Sequence, residues 1–193
     1  MTGMRSQKGL SMIELLVSVT ILLVCLTALA TTLIQNARIN RSQQMSLQVQ
    51  SDARNCLAMI VPVVRTAGWD PMNLGIPTAV VGVGGSQIQV FADINEDGDT
   101  DDADEDVTIR FVGSRIEWRK TSDVSQPFVI LSEGITNDAD GDGTAEPMFT
   151  ADSGTDPTRI TVRITARSPV PDPRGGGYLR YTMQSDAIFR GKV

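Results

Sequence analysis

Hydrophobic residues follow two different patterns along the first third of the chain. After Glu14 no charged residue appears before Arg38, and most of the residues between them are aliphatic. As an α-helix, this uncharged segment of about 23 residues would be about 34 Å long, which is enough to cross the hydrocarbon core of a bilayer. The pattern therefore predicts a membrane-spanning helix.

Beyond Arg38 apolar residues recur at steps of three and four, with polar residues between them. This spacing predicts that the helix continues with one apolar face laid against a sheet. An independent bundle helix is the alternative, but the sequence offers no second helix to pack against it. We expect Pro62 to kink or interrupt the helix near its end and Gly68 to stop it. The apolar face comprises Ser42, Met45, Val49, Ala53, Cys56, Leu57, Ile60 and Val64.

The rest of the chain predicts β-strands. Apolar and polar residues alternate in several segments, and Gly113 and Ser114 form a tight turn between two of them. We therefore predict an α+β fold in which a long N-terminal helix packs on an antiparallel β-sheet. The predicted strands are 87–92, 107–112, 115–120, a short edge strand at 127–131, 159–167 and 178–189, with 76–83 as a further short strand or ordered loop.

Composition narrows the possible functions. The 193 residues allow one globular domain beside the membrane helix. The net charge of −6 and the pI near 4.6 argue against nucleic-acid binding, because that affinity depends on clustered lysine and arginine. With no histidine, the chain lacks the commonest general base and zinc ligand, so we do not expect an enzyme. Cys25 and Cys56 would lie about 46 Å apart on one helix, too far for a disulfide.

Glu14 stands at the start of the apolar segment, directly after Lys8-Gly9-Leu10-Ser11-Met12-Ile13. An acidic residue deep in a membrane helix costs about 2.5–3.5 kcal/mol, and less near the end, so another group should compensate Glu14. A favourable interaction with the helix dipole is one explanation. The order of basic leader, glycine, apolar residue, serine, glutamate and apolar span resembles the signal of type IV prepilins and type II secretion pseudopilins.

The resemblance implies how this end of the chain is processed. A prepilin peptidase would cut after Gly9 on the cytoplasmic side and methylate the new N-terminus at Leu10, where phenylalanine is commoner. Glu14 would then be the fifth mature residue and would pair with the N-terminal amine of a neighbouring subunit. The implied divisions are a leader at 1–9, a transmembrane and assembly half of the helix at 10–37, an amphipathic half at 38–68 and a β-sheet domain at 69–193.

The same resemblance implies partners and location. The chain would cross the bacterial inner membrane once, with its C-terminal domain in the periplasm. An inner-membrane assembly platform would then move it into a filament with other pilins and minor pilins. Arg65-Thr66-Ala67-Gly68-Trp69 and the ending at 186–190 are similar to segments of PilW-type minor pilins and J-type pseudopilins, although Gly191 replaces the usual asparagine. That similarity implies a place in a priming or tip complex.

An ordinary secretory signal peptide is the rival interpretation of the N-terminus. Arg5 and Lys8 would form its basic region, and Ala28-Leu29-Ala30 would be its cleavage site. Glu14 argues against this interpretation, because it lies where the apolar region should begin. The uncharged segment also continues beyond Ala30.

Two acidic segments predict calcium loops. The first opens as D-x-N-x-D-G, like the first half of an EF-hand loop, with Asp93, Asn95, Asp97, Asp99 and Asp104 as candidate ligands and Glu105 one position late. A solvated acidic turn is the alternative, but so many carboxylates repel one another and a divalent cation would relieve that repulsion.

The second acidic segment repeats the spacing in a shorter, glycine-rich form, so that a plain turn competes well with calcium binding. Its candidate ligands are Asp138, Asp140, Asp142 and Glu146. With calcium bound, the domain could instead be a calcium-dependent adhesin, at a filament tip or anchored in the membrane, which is the alternative to a structural filament subunit.

Overall fold

One long helix runs through the first third of the chain. The computed structural model describes residues 11–154 and 157–189, so the predicted cleavage site at Gly9 and Leu10 lies outside the described residues. Helix α1 spans Met12–Arg65, and the backbone N–H of Thr66 caps its C-terminal end. Pro62 lies inside the helix and does not interrupt it, although its missing N–H leaves the carbonyl oxygen of Ala58 without an intrahelical partner.

The second half of α1 carries the folded domain on one face. The predicted apolar face is confirmed, except that Met45 is only half-buried and Val61 is buried in addition. The buried part of the helix surface is narrow because only this face packs against the sheets. The buried residues of α1 are Ser42, Val49, Ala53, Cys56, Leu57, Ile60, Val61 and Val64.

The described strands form two antiparallel sheets, whereas the sequence predicted one. The first sheet is a meander in the order β1-β2-β3-β4-β5, and the second has the order β6-β7-β8. The chain leaves the first sheet at Gly134, where φ is +75°, and an isolated bridge pairs the next residue, Ile135, with Ala166 of the second sheet. The strands are β1 Ala79–Val81, β2 Gln87–Phe91, β3 Asp106–Val112, β4 Arg115–Lys120, β5 Val129–Glu133, β6 Phe149–Ala151, β7 Arg159–Pro171 and β8 Tyr178–Ile188.

A single hydrophobic core joins α1 to both sheets. Ile60 of α1, Ile109 of β3 and Ile164 of β7 are fully buried in it, together with Phe149 and Phe189. Each such side chain contributes about 1.5–3 kcal/mol relative to an exposed position. The helix packs mainly against β7 and β8, so these two long strands fix the direction in which its first half leaves the domain.

The turn between β7 and β8 reaches along α1 toward its exposed half. Pro173 and Arg174 line a cleft with Gln35, Arg38 and Ile39 of the helix. The domain therefore begins directly where the uncharged segment ends. Two arginines, Arg38 and Arg174, lie at this boundary.

Candidate functional site

The first half of α1 projects from the domain, and no other part of the described chain buries its side chains. The helix is long and apolar enough to cross a membrane, and none of its most apolar window is buried in the chain. Leu16 is 60% exposed and Leu23 is 56% exposed, and the other aliphatic side chains between them are similar. A continuous apolar surface of this length is unfavourable in water, so it requires lipid or other helices around it.

The serine and threonine hydroxyls in this segment donate their hydrogen bonds within the helix. The hydroxyl of Ser18 donates to the carbonyl oxygen of Glu14 at 2.7 Å. Thr20, Thr27 and Thr31 donate in the same way to carbonyl oxygens three residues earlier. Because these hydroxyl donors are already hydrogen-bonded and do not need water, the residues are compatible with a lipid environment.

Glu14 lies in the first turn of α1 and is exposed. Its backbone N–H donates to the carbonyl oxygen of Ser11 at 3.0 Å. The helix dipole favours an acid at this position. Among the described residues, none of the ion pairs includes Glu14, so its carboxylate is available to a group outside this part of the chain.

The N-terminal segment also matches a known family model. Residues 4–30 match the model described as the prokaryotic N-terminal methylation motif. The chain carries a prepilin-type methylation motif. The match supports the type IV pilin and pseudopilin family, in which the subunit is a structural protein rather than an enzyme. No curated protein and no solved structure matches the chain significantly.

The prepilin motif and the helix agree on the boundary between membrane and domain. The matched segment ends at residue 30, within the exposed half of α1. The first buried helix residue is Ser42, several residues after Arg38, which is the next charged residue after Glu14. The chain is thus anchored in the membrane by a single helix, and its folded domain starts just outside that anchor.

The first acidic loop joins β2 to β3 and brings together Asp97, Asp102 and Glu105. One carboxylate oxygen from each lies within 4.8 Å of the other two. The backbone fixes this arrangement: the N–H of Ala92 donates to the carbonyl oxygen of Glu105 at 2.9 Å, which extends the pairing of β2 with β3 by one step. The start and the end of the loop are therefore held side by side.

The other candidate ligands in this loop have separate contacts. Asp93 is fully buried, and its two oxygens accept the N–H groups of Asp97 and Gly98 at 3.2 and 3.1 Å. Asp104 pairs with Lys120 at 2.6 Å. Asp99 accepts the N–H of Asp101 at 3.1 Å. Of the sequence-predicted carboxylates, only Asp97 belongs to the three-oxygen cluster.

Asn95 stands between two members of the cluster. Its Nδ2 donates to Asp97 Oδ2 at 2.9 Å and to Asp102 Oδ2 at 2.7 Å. The amide therefore holds the two carboxylates together. Of the five candidate ligands predicted for this loop, Asn95 and Asp97 are the two that lie at the cluster.

Asp101 shows the electrostatic consequence of crowding these acids. A hydrogen bond between the carboxyl groups of Asp101 and Asp99 raises the pKa of Asp101, and repulsion from Asp99, Asp102 and Asp97 raises it further. Protonation is one way to relieve the repulsion, and a bound cation is another. The acidic side chains around Asp101 therefore repel one another.

The second acidic loop, between β5 and β6, differs because basic residues already face it. Asp138, Asp140 and Asp142 each place an oxygen within 4.8 Å of the others. Arg180 of β8 approaches the buried Asp138 at 3.6 Å. Glu146, the fourth predicted ligand, pairs with Arg163. Part of the negative charge in this loop is therefore neutralised by the chain itself.

The sequence analysis did not include Asp102 as a ligand, and it placed Glu105 one residue beyond the last ligand position of an EF-hand loop. Both choices arose because it imposed the twelve-residue EF-hand spacing on this loop. Strand alternation provides a better signal. Glu105 lies two residues before Val107, which is buried with Ile109 on the inner side of β3. Extending that alternation backwards would have placed Glu105 inward.

Proposed function

We propose that this protein is a minor pilin or pseudopilin, cut after Gly9 by prepilin peptidase and assembled into a type IV pilus or a type II secretion pseudopilus. The observation that supports the proposal is the bare first half of α1 in a chain that carries the prepilin-type methylation motif. Before assembly, this half holds the protein in the bacterial inner membrane, with the domain in the periplasm. The inner-membrane assembly platform then transfers it to the filament.

Assembly replaces lipid around the helix by other pilin helices. The exposed aliphatic side chains cover all sides of this half, so the helix can pack laterally against several neighbours. Because lipid tails are as apolar as these side chains, burial alone does not set the position of one subunit along another. The register must come from a polar contact.

Glu14 is suited to provide that contact. Removal of the leader leaves a free amine at Leu10, four residues before Glu14 in the mature chain. An amine and a carboxylate are each costly in an apolar environment, and pairing between neighbouring subunits neutralises both. Breaking such a buried pair costs about 3–5 kcal/mol. The pair therefore makes one axial position much more favourable than its alternatives.

The similarity of residues 65–69 to PilW-type minor pilins and J-type pseudopilins favours a priming or tip position within this class. Residues 66–68 form the turn that leaves α1, and the N–H of Gly68 donates to the carbonyl oxygen of Phe91 at 2.8 Å. The segment thus attaches the helix end to the first sheet. A calcium-dependent adhesin remains the alternative prediction from the sequence.

The test is the substitution Glu14→Ala in the native host. We expect the variant to be cut and retained in the membrane, while filament assembly or filament-dependent secretion falls to the level of the deletion strain. Glu133→Gln, which removes an exposed acid on β5, serves as a control and should assemble normally. Normal filaments with Glu14→Ala would overturn the role of Glu14.

A further inference from the structure

Glu105 is a buried acid at the base of the loop between β2 and β3. Its residue is 1% exposed, and Oε1 accepts the backbone N–H groups of Ile94 and Asn95 at 2.8 and 3.0 Å. Oε2 is equally inaccessible, yet it has no hydrogen-bond partner among the residues that the structure describes. A buried carboxylate oxygen without a partner is unfavourable, because it has lost its contacts with water and gained none in return.

The carboxylate of Glu105 meets two others at this position. One oxygen each from Asp97, Asp102 and Glu105 lies within 4.8 Å of the other two. Calcium binds oxygen ligands at about 2.3–2.6 Å, so two ligands on opposite sides of one ion lie about 4.6–5.2 Å apart. The three oxygens can therefore contact one ion without a large movement of the backbone.

Asn95 provides a fourth oxygen next to the same point. Its amide group now directs Nδ2 toward Asp97 and Asp102, at 2.9 and 2.7 Å. Rotating the amide by half a turn exchanges this donor for the side-chain oxygen, which now accepts the N–H of Asp97 at 3.0 Å. That N–H would keep its second acceptor, Asp93 Oδ1, at 3.2 Å. The amide hydrogens thus occupy the position where a positive charge between the two carboxylates would be most favourable.

We infer that Asp97, Asp102 and Glu105, with the side-chain oxygen of Asn95, form a calcium site. The ligands are all oxygen atoms, and most are charged, which selects a hard divalent cation. Magnesium requires a near-ideal octahedron and retains several waters. Calcium accepts six to eight oxygen ligands in a flexible geometry, so it fits this irregular set of side chains better.

The ion would join the two ends of the loop. Asn95 and Asp97 follow β2, whereas Asp102 and Glu105 precede β3, so one ion would hold the start of the loop against its end. The start of the loop also contacts the chain beyond α1, where the N–H of Asp93 donates to the carbonyl oxygen of Trp69 at 2.8 Å. Calcium would therefore order a loop that covers the C-terminal end of the helix.

The second acidic loop does not share these properties. Arg180 supplies a positive charge close to Asp138, at 3.6 Å. No buried carboxylate oxygen in the described part of that loop lacks a partner. Calcium binding there remains a prediction from the sequence, and the inference is limited to the first loop.

The test is calorimetric titration of calcium into the metal-free full chain in detergent, with magnesium titrated separately. We expect one calcium site in the wild-type protein and a thermal midpoint that rises with calcium. Glu105→Gln should weaken binding at least tenfold, because it removes the charge and keeps the shape. Asp102→Asn is the second variant, since Asp102 is exposed and its loss should not impair folding.

Two variants serve as matched controls. Glu133→Gln removes one exposed acid away from the loop, and Asp140→Asn removes one from the second acidic cluster. Both should bind calcium at the first loop with unchanged affinity. The inference is wrong if no calcium binds at millimolar concentration, if Asp102→Asn binds as tightly as the wild type, or if only Asp140→Asn loses binding. Tighter binding of magnesium than calcium would overturn the choice of ion.

Discussion

Replacing Ile60 by alanine tests how firmly α1 is attached to the domain. Ile60 is fully buried in the core where the helix meets the sheets. The substitution removes three carbon atoms, each worth about 0.8 kcal/mol of transfer free energy, so about 2.4 kcal/mol is lost before any cavity forms. Incomplete collapse around the site adds to this, and the total expected for such a truncation is about 2–5 kcal/mol.

The free energy of unfolding can be measured on the full chain in detergent by following tryptophan fluorescence. A loss of about 3 kcal/mol lowers the thermal midpoint of a chain of this size by about 6–12 °C. Leu47→Ala is the matched control, because it removes the same number of carbon atoms from a side chain of α1 that is 65% exposed. We expect it to change stability by less than about 0.5 kcal/mol. Equal effects of the two substitutions would refute the packing of this helix face against the sheets.

Two further predictions concern a turn and a buried ion pair. Gly68→Ala should destabilise the fold by about 1–3 kcal/mol, because φ is +71° and the new Cβ would lie 2.5 Å from Thr78 Cγ2. Gly84→Ala is the control, because φ is also positive, at +75°, but the space around it is open. It should lower the free energy of unfolding by less in the same assay. The side chain of Arg110 donates a hydrogen bond that lowers the pKa of the Glu117 carboxyl from 4.5, and the positive charges of Arg115 and Arg110 lower it further. Since the folded-state pKa is the lower one, this contribution to stability is present above about pH 4.5 and is lost as the pH falls through the folded value. Glu117→Gln should therefore lose less stability on acidification than the wild type, and an unchanged loss would contradict this assignment.

The helix and most strands could be predicted because each rests on a local pattern. The uncharged segment after Glu14 and the three- and four-residue spacing beyond Arg38 determined α1 without knowledge of its partners. The strands β2, β3 and β4 likewise lie within a residue of their predicted bounds. The division into two sheets could not be predicted, because it depends on where the chain leaves β5 at Gly134. The strand β6 has only three residues, too few for alternation to be recognised.

One of the two candidate sites could be predicted from the sequence and the other could not. Glu14 could be identified because its position follows from a contiguous motif. The cluster in the first acidic loop could not, because Asp102 and Glu105 meet Asp97 only through the pairing of β2 with β3. The fixed EF-hand spacing pointed instead to Asp104, which the fold directs toward Lys120. Ligand sets in loops between strands are set by strand register as much as by spacing along the chain.

Mass spectrometry of the mature N-terminus, on protein taken from native membranes, tests the proposed function most directly. Our account predicts a chain that begins at Leu10 and carries one N-methyl group, because cleavage after Gly9 and methylation belong to one processing step. A chain that begins at Thr31 would contradict it, since cleavage after Ala30 would remove Glu14 and most of the exposed helix. The protein would then be a secreted acidic domain with no anchor for filament assembly.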